Sequence, residues 1–303
     1  MSQLAIETHG LTRSFGKLRA VDHVDLQVPA GSIYGYLGRN GAGKTTTIQM
    51  MMGLLDKDAG EIRLLGLDPY RQGVAMKQVV SYVPERVQLY DWMKVSELVW
   101  FVKNLHRQWD DALAADLLRR FDLPPDRRLG QLSRGMQGKA ALTVALASRP
   151  RLLLLDDPTS GLDALVRREF MAGIVDIVQA TGVTVFFSSH LIDDVERVSD
   201  WIGILHEGRL IVQCPLDDLK QSVHRVIATF PDSAPVLDAP SILQQSAEGR
   251  QRELIWKDFT ESDAARLRAA GATDVQVQAC SLEDIFIAHV RTRPARAEEV
   301  MAE

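Results

Sequence analysis

The sequence predicts an α/β fold with a parallel-sheet core, a short antiparallel β region before it and a small α+β domain after it. Three observations carry this reading. Strand-like apolar runs alternate with helix-like periodic segments from residue 33 to about residue 198, the pattern of a parallel sheet flanked by helices. Two of the runs, LLLL at 152–155 and VTVFFSS at 183–189, are continuous rather than alternating, as strands covered on both faces are. The first thirty residues instead alternate polar and apolar over short stretches (LAIETHGL, VDLQV), as antiparallel strands with one wet face do.

The elements follow in order. After the N-terminal strands, IYGYL, a glycine-rich stretch and TTTIQMMMGLL read as strand, loop and helix. Segment 92–149 is mostly helical by periodicity (ELVWFVKNL, ALAADLLRRF, KAALTVALAS), interrupted by the turn chemistry of Leu123-Pro124-Pro125-Asp126. The 152–155 strand, a helix over 164–180, the strand VTVFFSS and a short helix LIDDVERV come next. Near residue 219 the texture shifts. VHRVIATF, ELIWK and DVQVQAC look like strands, and ESDAARLRAAG and SLEDIFIAHV like helices. The expected organisation is a first domain over 1–219 with a helical part at about 90–148, a small α+β domain over 220–290, and a frayed tail over 291–303.

Composition narrows the function classes. A net charge of −5 argues against nucleic acid or an anionic membrane surface as the main partner. The longest apolar runs fall far short of the roughly 18 to 20 residues a membrane span needs. The N-terminus lacks the basic and then apolar regions of a secretory signal. Two cysteines, Cys214 and Cys280, imply neither a disulfide framework nor a metal cluster. The expected location is the cytoplasm.

Gly38-Arg39-Asn40-Gly41-Ala42-Gly43-Lys44-Thr45, followed by Thr46, fits G-x-x-x-x-G-K-[ST] in full and lies between an apolar strand and a helix. Glycines there let backbone N–H groups curl around phosphate oxygens, and the following helix presents its positive N-terminus. Lys44 then places a point charge on the β- and γ-phosphates of a nucleoside triphosphate, and the Thr45 hydroxyl reaches Mg²⁺. Downstream, the apolar run 152–155 ends in Asp156 and Asp157. An acid at such a strand end holds Mg²⁺, which assigns Asp156, and Asp157 one residue on is placed to polarise the attacking water.

Three further stretches make the pattern specific. Leu132-Ser133-Arg134-Gly135-Met136-Gln137 opens a helix about twenty residues before the carboxylates, Ser160-Gly161-Leu162-Asp163 follows them, and His190 ends the next buried strand. Together these motifs resemble, in order and spacing over residues 3–219, the ATP-binding subunit of an ABC (ATP-binding cassette) transporter. The PER-x-x-LY stretch at 84–90 and the appended C-terminal domain look most like single-cassette subunits of bacterial exporters.

The resemblance implies ATP and Mg²⁺ as cofactors and a division of roles. Phe15 matches the aromatic that stacks on adenine, its other reading being a core phenylalanine. His190 matches the histidine that contacts the γ-phosphate. Ser133, Arg134, Gly135, Met136 and Gln137 match the signature that closes over the nucleotide of a second cassette, and Asp163 matches an acid at the same dimer interface. The chain departs from the family in three places. Asp157 stands where a glutamate is usual, Glu85 where a glutamine contacts Mg²⁺, and the signature reads S-R-G-M-Q rather than S-G-G-Q-[QR].

The expected function is ATP-driven closure and opening of a cassette dimer, homodimeric or with a paralogue, peripheral on the inner face of the cell membrane. It would be docked on separate permease subunits through the helical part and the loop around residues 85–92. Tyr90 and Trp92 there read equally well as docking or core aromatics. Two other classes stay open, a nucleotide switch with little hydrolysis and a non-transport cassette ATPase. Members of the second class typically carry a coiled coil or two cassettes, and neither is visible here.

Overall fold

The computed structural model of the protein describes residues 3–232 and 235–292. By its internal contacts the chain divides into two units between Gln213 and Cys214, earlier than the expected 219. The helix that begins at Leu216 runs directly into the first strand of the second unit and belongs with it.

The first unit opens with β1 (Leu4–Phe15), β2 (Leu18–Val24) and β3 (Gln27–Pro29), followed by β4 (Ile33–Leu37), α1 (Lys44–Met51) and β5 (Ala59–Leu64). β1 is long enough to serve three antiparallel partners. Its first half pairs with β3 and β5, and its second half with β2, ending on the facing pair Phe15 and Leu18 at the hairpin turn. Then come α2 (Gly73–Lys77), β6 (Val80–Val83), α3 (Val95–Lys103), α4 (Asp111–Arg120), α5 (Arg134–Ala147) and β7 (Leu152–Leu155). α6 (Ala164–Thr181), β8 (Thr184–Ser189), α7 (Ile192–Val198), β9 (Trp201–His206) and β10 (Arg209–Pro215) complete the series.

The six-stranded sheet has the order β10-β9-β4-β8-β7-β6. Every residue of β4, β7 and β8 is buried, which is what their unbroken apolar runs require. Tyr34, Tyr36 and Phe186 stack across β4 and β8 with ring centroids 5.2 to 5.4 Å apart. The register fixes the functional geometry. Leu37 faces Ser189, Leu155 faces Phe187, and Val83 faces Leu155, all in parallel pairing. β4 and β8 therefore end together, β6 and β7 end together two residues short of them, and the residues that follow emerge along one edge.

The second unit holds α8 (Leu216–Ser222), β11 (Val223–Thr229), β12 (Ile242–Glu248), β13 (Gln251–Lys257), α9 (Glu261–Ala269), β14 (Asp274–Ala279) and α10 (Leu282–Thr292). Its sheet, ordered β12-β13-β11-β14, is antiparallel throughout and buries Val226, Ala228, Leu254, Trp256 and Leu267. Of the expected tail, residues 291 and 292 finish α10, and 293–303 lie outside the described residues.

Candidate functional site

The loop between β4 and α1 curls because its glycines permit it. Gly43 has φ 108°, and a Cβ there would lie 2.2 Å from the carbonyl oxygen of Ala20 on β2. A Cβ on Gly38 would meet the Leu205 carbonyl of β9 at 2.7 Å. Close approach of two neighbouring strands therefore demands glycine at both ends of the motif. Lys44 is the first residue of α1. Its buried side chain folds back so that Nζ donates to the carbonyls of Gly38 at 2.7 Å and Arg39 at 3.2 Å. Burial pushes the Lys44 ammonium below the usual lysine range, against the opposing pull of Asp157, Asp156 and Glu85.

The neighbouring strand ends bring the other groups to this loop. Asp156 follows β7, and its Oδ1 accepts from the Thr45 hydroxyl at 3.1 Å and from the Ser188 hydroxyl at 2.7 Å. Ser188 also accepts the Asp157 backbone N–H at 2.9 Å, so one hydroxyl on β8 positions two successive acids. His190 follows β8 and lies with Nδ1 2.6 Å from Asp157 Oδ2. A carboxylate only accepts, so Nδ1 carries the proton and Nε2 is left for another partner. The second oxygen of Asp157, Oδ1, is buried without a hydrogen-bond partner among the described residues. Burial raises both acids above the usual carboxylate range; Thr45 and Ser188 oppose this at Asp156, and His190 and Lys44 at Asp157.

Glu85, two residues beyond β6, accepts from the Ser160 hydroxyl at 3.3 Å. A cavity of about 480 Å³ is lined by Asn40, Gly41, Gly43, Lys44, Thr45 and Thr46 together with Glu85, Asp156, Asp157 and His190. Phe15 and Leu18, from the tip of the β1–β2 hairpin, form part of its wall. Phe15 is 47% exposed with the Arg13 guanidinium 5.0 Å from its ring centroid, which removes the reading of it as a core residue. Arg39 and Ala42 line a neighbouring cavity with Asn40, Gly41 and His190, while Gly38 lines neither.

The signature residues lie elsewhere. Arg134, Gly135 and Gln137, at the start of α5, line a second cavity of about 340 Å³. It shares Glu85 and Ser160 with the first. Ser133 caps α5 by accepting from the Met136 backbone N–H at 3.3 Å. Asp163 caps α6, accepting from the N–H groups of Leu165 and Val166 at 3.0 Å each. Neither Ser133 nor Met136 lines the phosphate-loop cavity. Tyr90 and Trp92, with ring centroids 5.8 Å apart, are 61% and 66% exposed, so they are surface aromatics rather than core.

Sequence reasoning passed over Ser188 and gave Ser160, the first residue of the 160–163 motif, no role of its own. The first sits two residues before His190 and the second three after Asp157, so both were inside stretches already singled out. What hides them is that their partners come from other strands.

No group of three or more His, Cys, Asp or Glu side chains among the described residues converges closely enough to hold a metal ion. The Thr45 hydroxyl and the Asp156 carboxylate are nevertheless hard oxygen donors held 3.1 Å apart. Two such ligands suit a cation whose remaining positions are filled by nucleotide phosphates and water, the habit of Mg²⁺.

Comparison with known proteins agrees with this geometry. The profile of the ABC transporter family matches residues 21–160. The chain is 33% identical over 291 residues to the uncharacterized ABC transporter ATP-binding protein YhaQ of Bacillus subtilis, covering 92% of this chain and 96% of that one. It is 35% identical over 227 residues to the daunorubicin/doxorubicin resistance ATP-binding protein DrrA of Streptomyces peucetius, covering 72% and 68%. A solved ATP-binding subunit of an ABC transporter superposes with a TM-score of 0.65 at 26% identity, covering 72% of this chain and 92% of that one.

Proposed function

The chain belongs to the ATP-binding proteins of ABC transporters, and from that premise we propose how its residues divide the binding and hydrolysis of ATP that power transport. The observation that supports the assignment most is the parallel register. It sets the Thr45 hydroxyl on Asp156 and His190 on Asp157 in the cavity that Lys44 and Thr45 line.

Lys44 and the loop N–H groups balance the β- and γ-phosphates, and Phe15 offers a ring face to adenine. Thr45 and Asp156, with Glu85 beside them, would hold Mg²⁺, which would supply positive charge to the phosphate oxygens when bound. Asp157 Oδ1, buried and unpartnered, takes the proton of the attacking water as its oxygen bonds to the γ-phosphorus and the bond to the β–γ bridging oxygen breaks. His190 holds the other Asp157 oxygen through Nδ1 and turns Nε2 toward the γ-phosphate.

Ser133 and the α5 N-terminus serve the nucleotide of a second copy or a paralogue, because they line no part of their own chain's nucleotide cavity. Asp163 lies at the same interface. No helix among the described residues is long and apolar enough to cross a membrane. The pathway therefore belongs to separate membrane subunits, which hold the cassettes at the cytoplasmic face. Four exposed aromatics in the stretch 90–101, namely Tyr90, Trp92, Trp100 and Phe101, form the docking surface. The likeness to DrrA, named for drug resistance, favours export.

Phosphate release by the purified chain, alone and with its membrane subunits, tests the motor against a switch that binds ATP without turnover. Lys44→Ala tests the site itself. Losing a buried charge that compensates phosphate weakens ATP binding by about a hundredfold, read by calorimetry with a non-hydrolysable analogue. Wild-type affinity in that variant would place the nucleotide elsewhere.

A further inference from the structure

The nucleotide cavity is overloaded with negative charge. Of the side chains that line it, Lys44 is the one lysine or arginine, whereas Glu85, Asp156 and Asp157 are all acids, an excess of two acidic groups over cationic ones. Each acid has a different claim on compensation. Asp156 is held by two hydroxyls, and Asp157 spends one oxygen on His190 and leaves the other buried and unpartnered. Glu85 makes no ion pair among the described residues. Its side chain accepts from the Ser160 hydroxyl, which supplies no charge. Lys44 is itself engaged by two backbone carbonyls. A neutral side chain at position 85 would halve the excess.

A triphosphate free of metal brings about four negative charges to this cavity, and its Mg²⁺ complex about half as many. Coulomb repulsion scales with the product of the charges, so a carboxylate without an ion-pair partner opposes the free nucleotide about twice as strongly as the complex. Among the described residues no group of three or more His, Cys, Asp or Glu side chains is placed to hold a metal ion, and Thr45 and Asp156 offer two oxygen donors that nucleotide phosphates and water would complement.

We propose that Glu85 makes nucleotide binding conditional on the divalent cation, so that the chain accepts Mg²⁺-ATP and rejects the uncomplexed triphosphate. This rests on the assignment of the cavity lined by the phosphate loop as the ATP site. Glu85 acts here as a specificity-determining residue, independent of any part it takes in turnover, and the effect belongs to this chain's glutamate rather than to the motif as a whole.

The test is a binding measurement on the full chain, with the β,γ-imido analogue of ATP titrated in excess Mg²⁺ and in excess EDTA. The quantity read is the ratio of the two affinities. Glu85→Gln is expected to lower that ratio by about tenfold, a moderate figure because position 85 is exposed and partly screened. Glu85→Ser, which loses the same charge with a different shape, should lower it similarly, and raising KCl to about 0.5 M should narrow the gap between wild type and both variants. A ratio unchanged within twofold in both variants overturns the proposal while leaving the site assignment intact. Wild-type binding of the Mg²⁺ complex by Lys44→Ala would instead overturn the site assignment, and the proposal with it.

Discussion

Asp157 shows how much of the chemistry turns on single residues. Its φ of 41° lies in the left-handed region, which short polar side chains visit most readily among non-glycine residues. An aspartate is thus matched to the backbone that points it at His190. Replacing it with asparagine keeps the shape but cannot take a proton. Single-turnover hydrolysis by Asp157→Asn should fall by about a hundredfold or more with ATP binding retained. Turnover at the wild-type rate would make Asp157 a bystander. Asp157→Glu displaces the carboxylate by about 1 Å from its 2.6 Å contact with His190, so we expect it to be slower than wild type as well. At this scale the sequence was most legible where the chemistry is contiguous, in the 38–46 loop and the Asp156–Asp157 pair. It was silent on Ser188 because hydroxyls that brace an acid from a neighbouring strand leave no local pattern.

Among the elements, the ends of β4, β6, β7 and β8 along one sheet edge make the site, and buried strands advertised most of them. β5, β9, β10 and β12 went unread. β5 and β12 are largely wet, and β12 has polar residues at 244–246 that only pairing with β13 makes into a strand. The β9–β10 hairpin turns on Glu207 and Gly208, both at positive φ, a signature overlooked within an apolar stretch. That hairpin is tied to β2 by Asp22. Its buried carboxylate accepts from Arg19 at 2.8 Å and Arg209 at 2.7 Å and contacts His23 at 2.8 Å, and its N–H donates to the Gly208 carbonyl at 2.8 Å. Burial pushes the carboxyl up, but the bonds from Arg19, His23 and Arg209 outweigh it and hold the group well below the usual range. Its folded value is depressed, so its contribution is fully present above the unfolded value of about 3.9 and is lost only as pH falls through the folded one. Asp22→Asn should therefore cost about 2 to 4 kcal/mol in urea unfolding at pH 7, with the difference from wild type vanishing in strong acid. A difference under about 0.5 kcal/mol at pH 7 would mean that solvent-exposed Arg19 and Arg209 contribute no more than surface pairs do.

For the whole molecule, the sequence placed the cassette and the second domain but set their border at 219. The chain divides at Gln213 and Cys214, since a polar helix such as LDDLKQS carries little signal of which side it joins. The second unit is legible as a fold and not as a function. The alignment with YhaQ covers 92% of the chain and so runs into this unit, but that relative is itself uncharacterized. The central claim concerns assembly. On the proposed reading, a chain whose signature helix lies outside its own nucleotide cavity closes on a second copy or a paralogue to complete each site. Sedimentation of the hydrolysis-blocked Asp157→Asn chain, with and without Mg²⁺-ATP, tests this most directly. The account predicts a monomer without nucleotide and a dimer holding two ATP molecules with it. The dimer should be lost when Ser133→Arg is added, at a cost of only about 1 kcal/mol from the missing helix cap. A monomer that binds one ATP and never associates, even with its membrane subunits present, would contradict it.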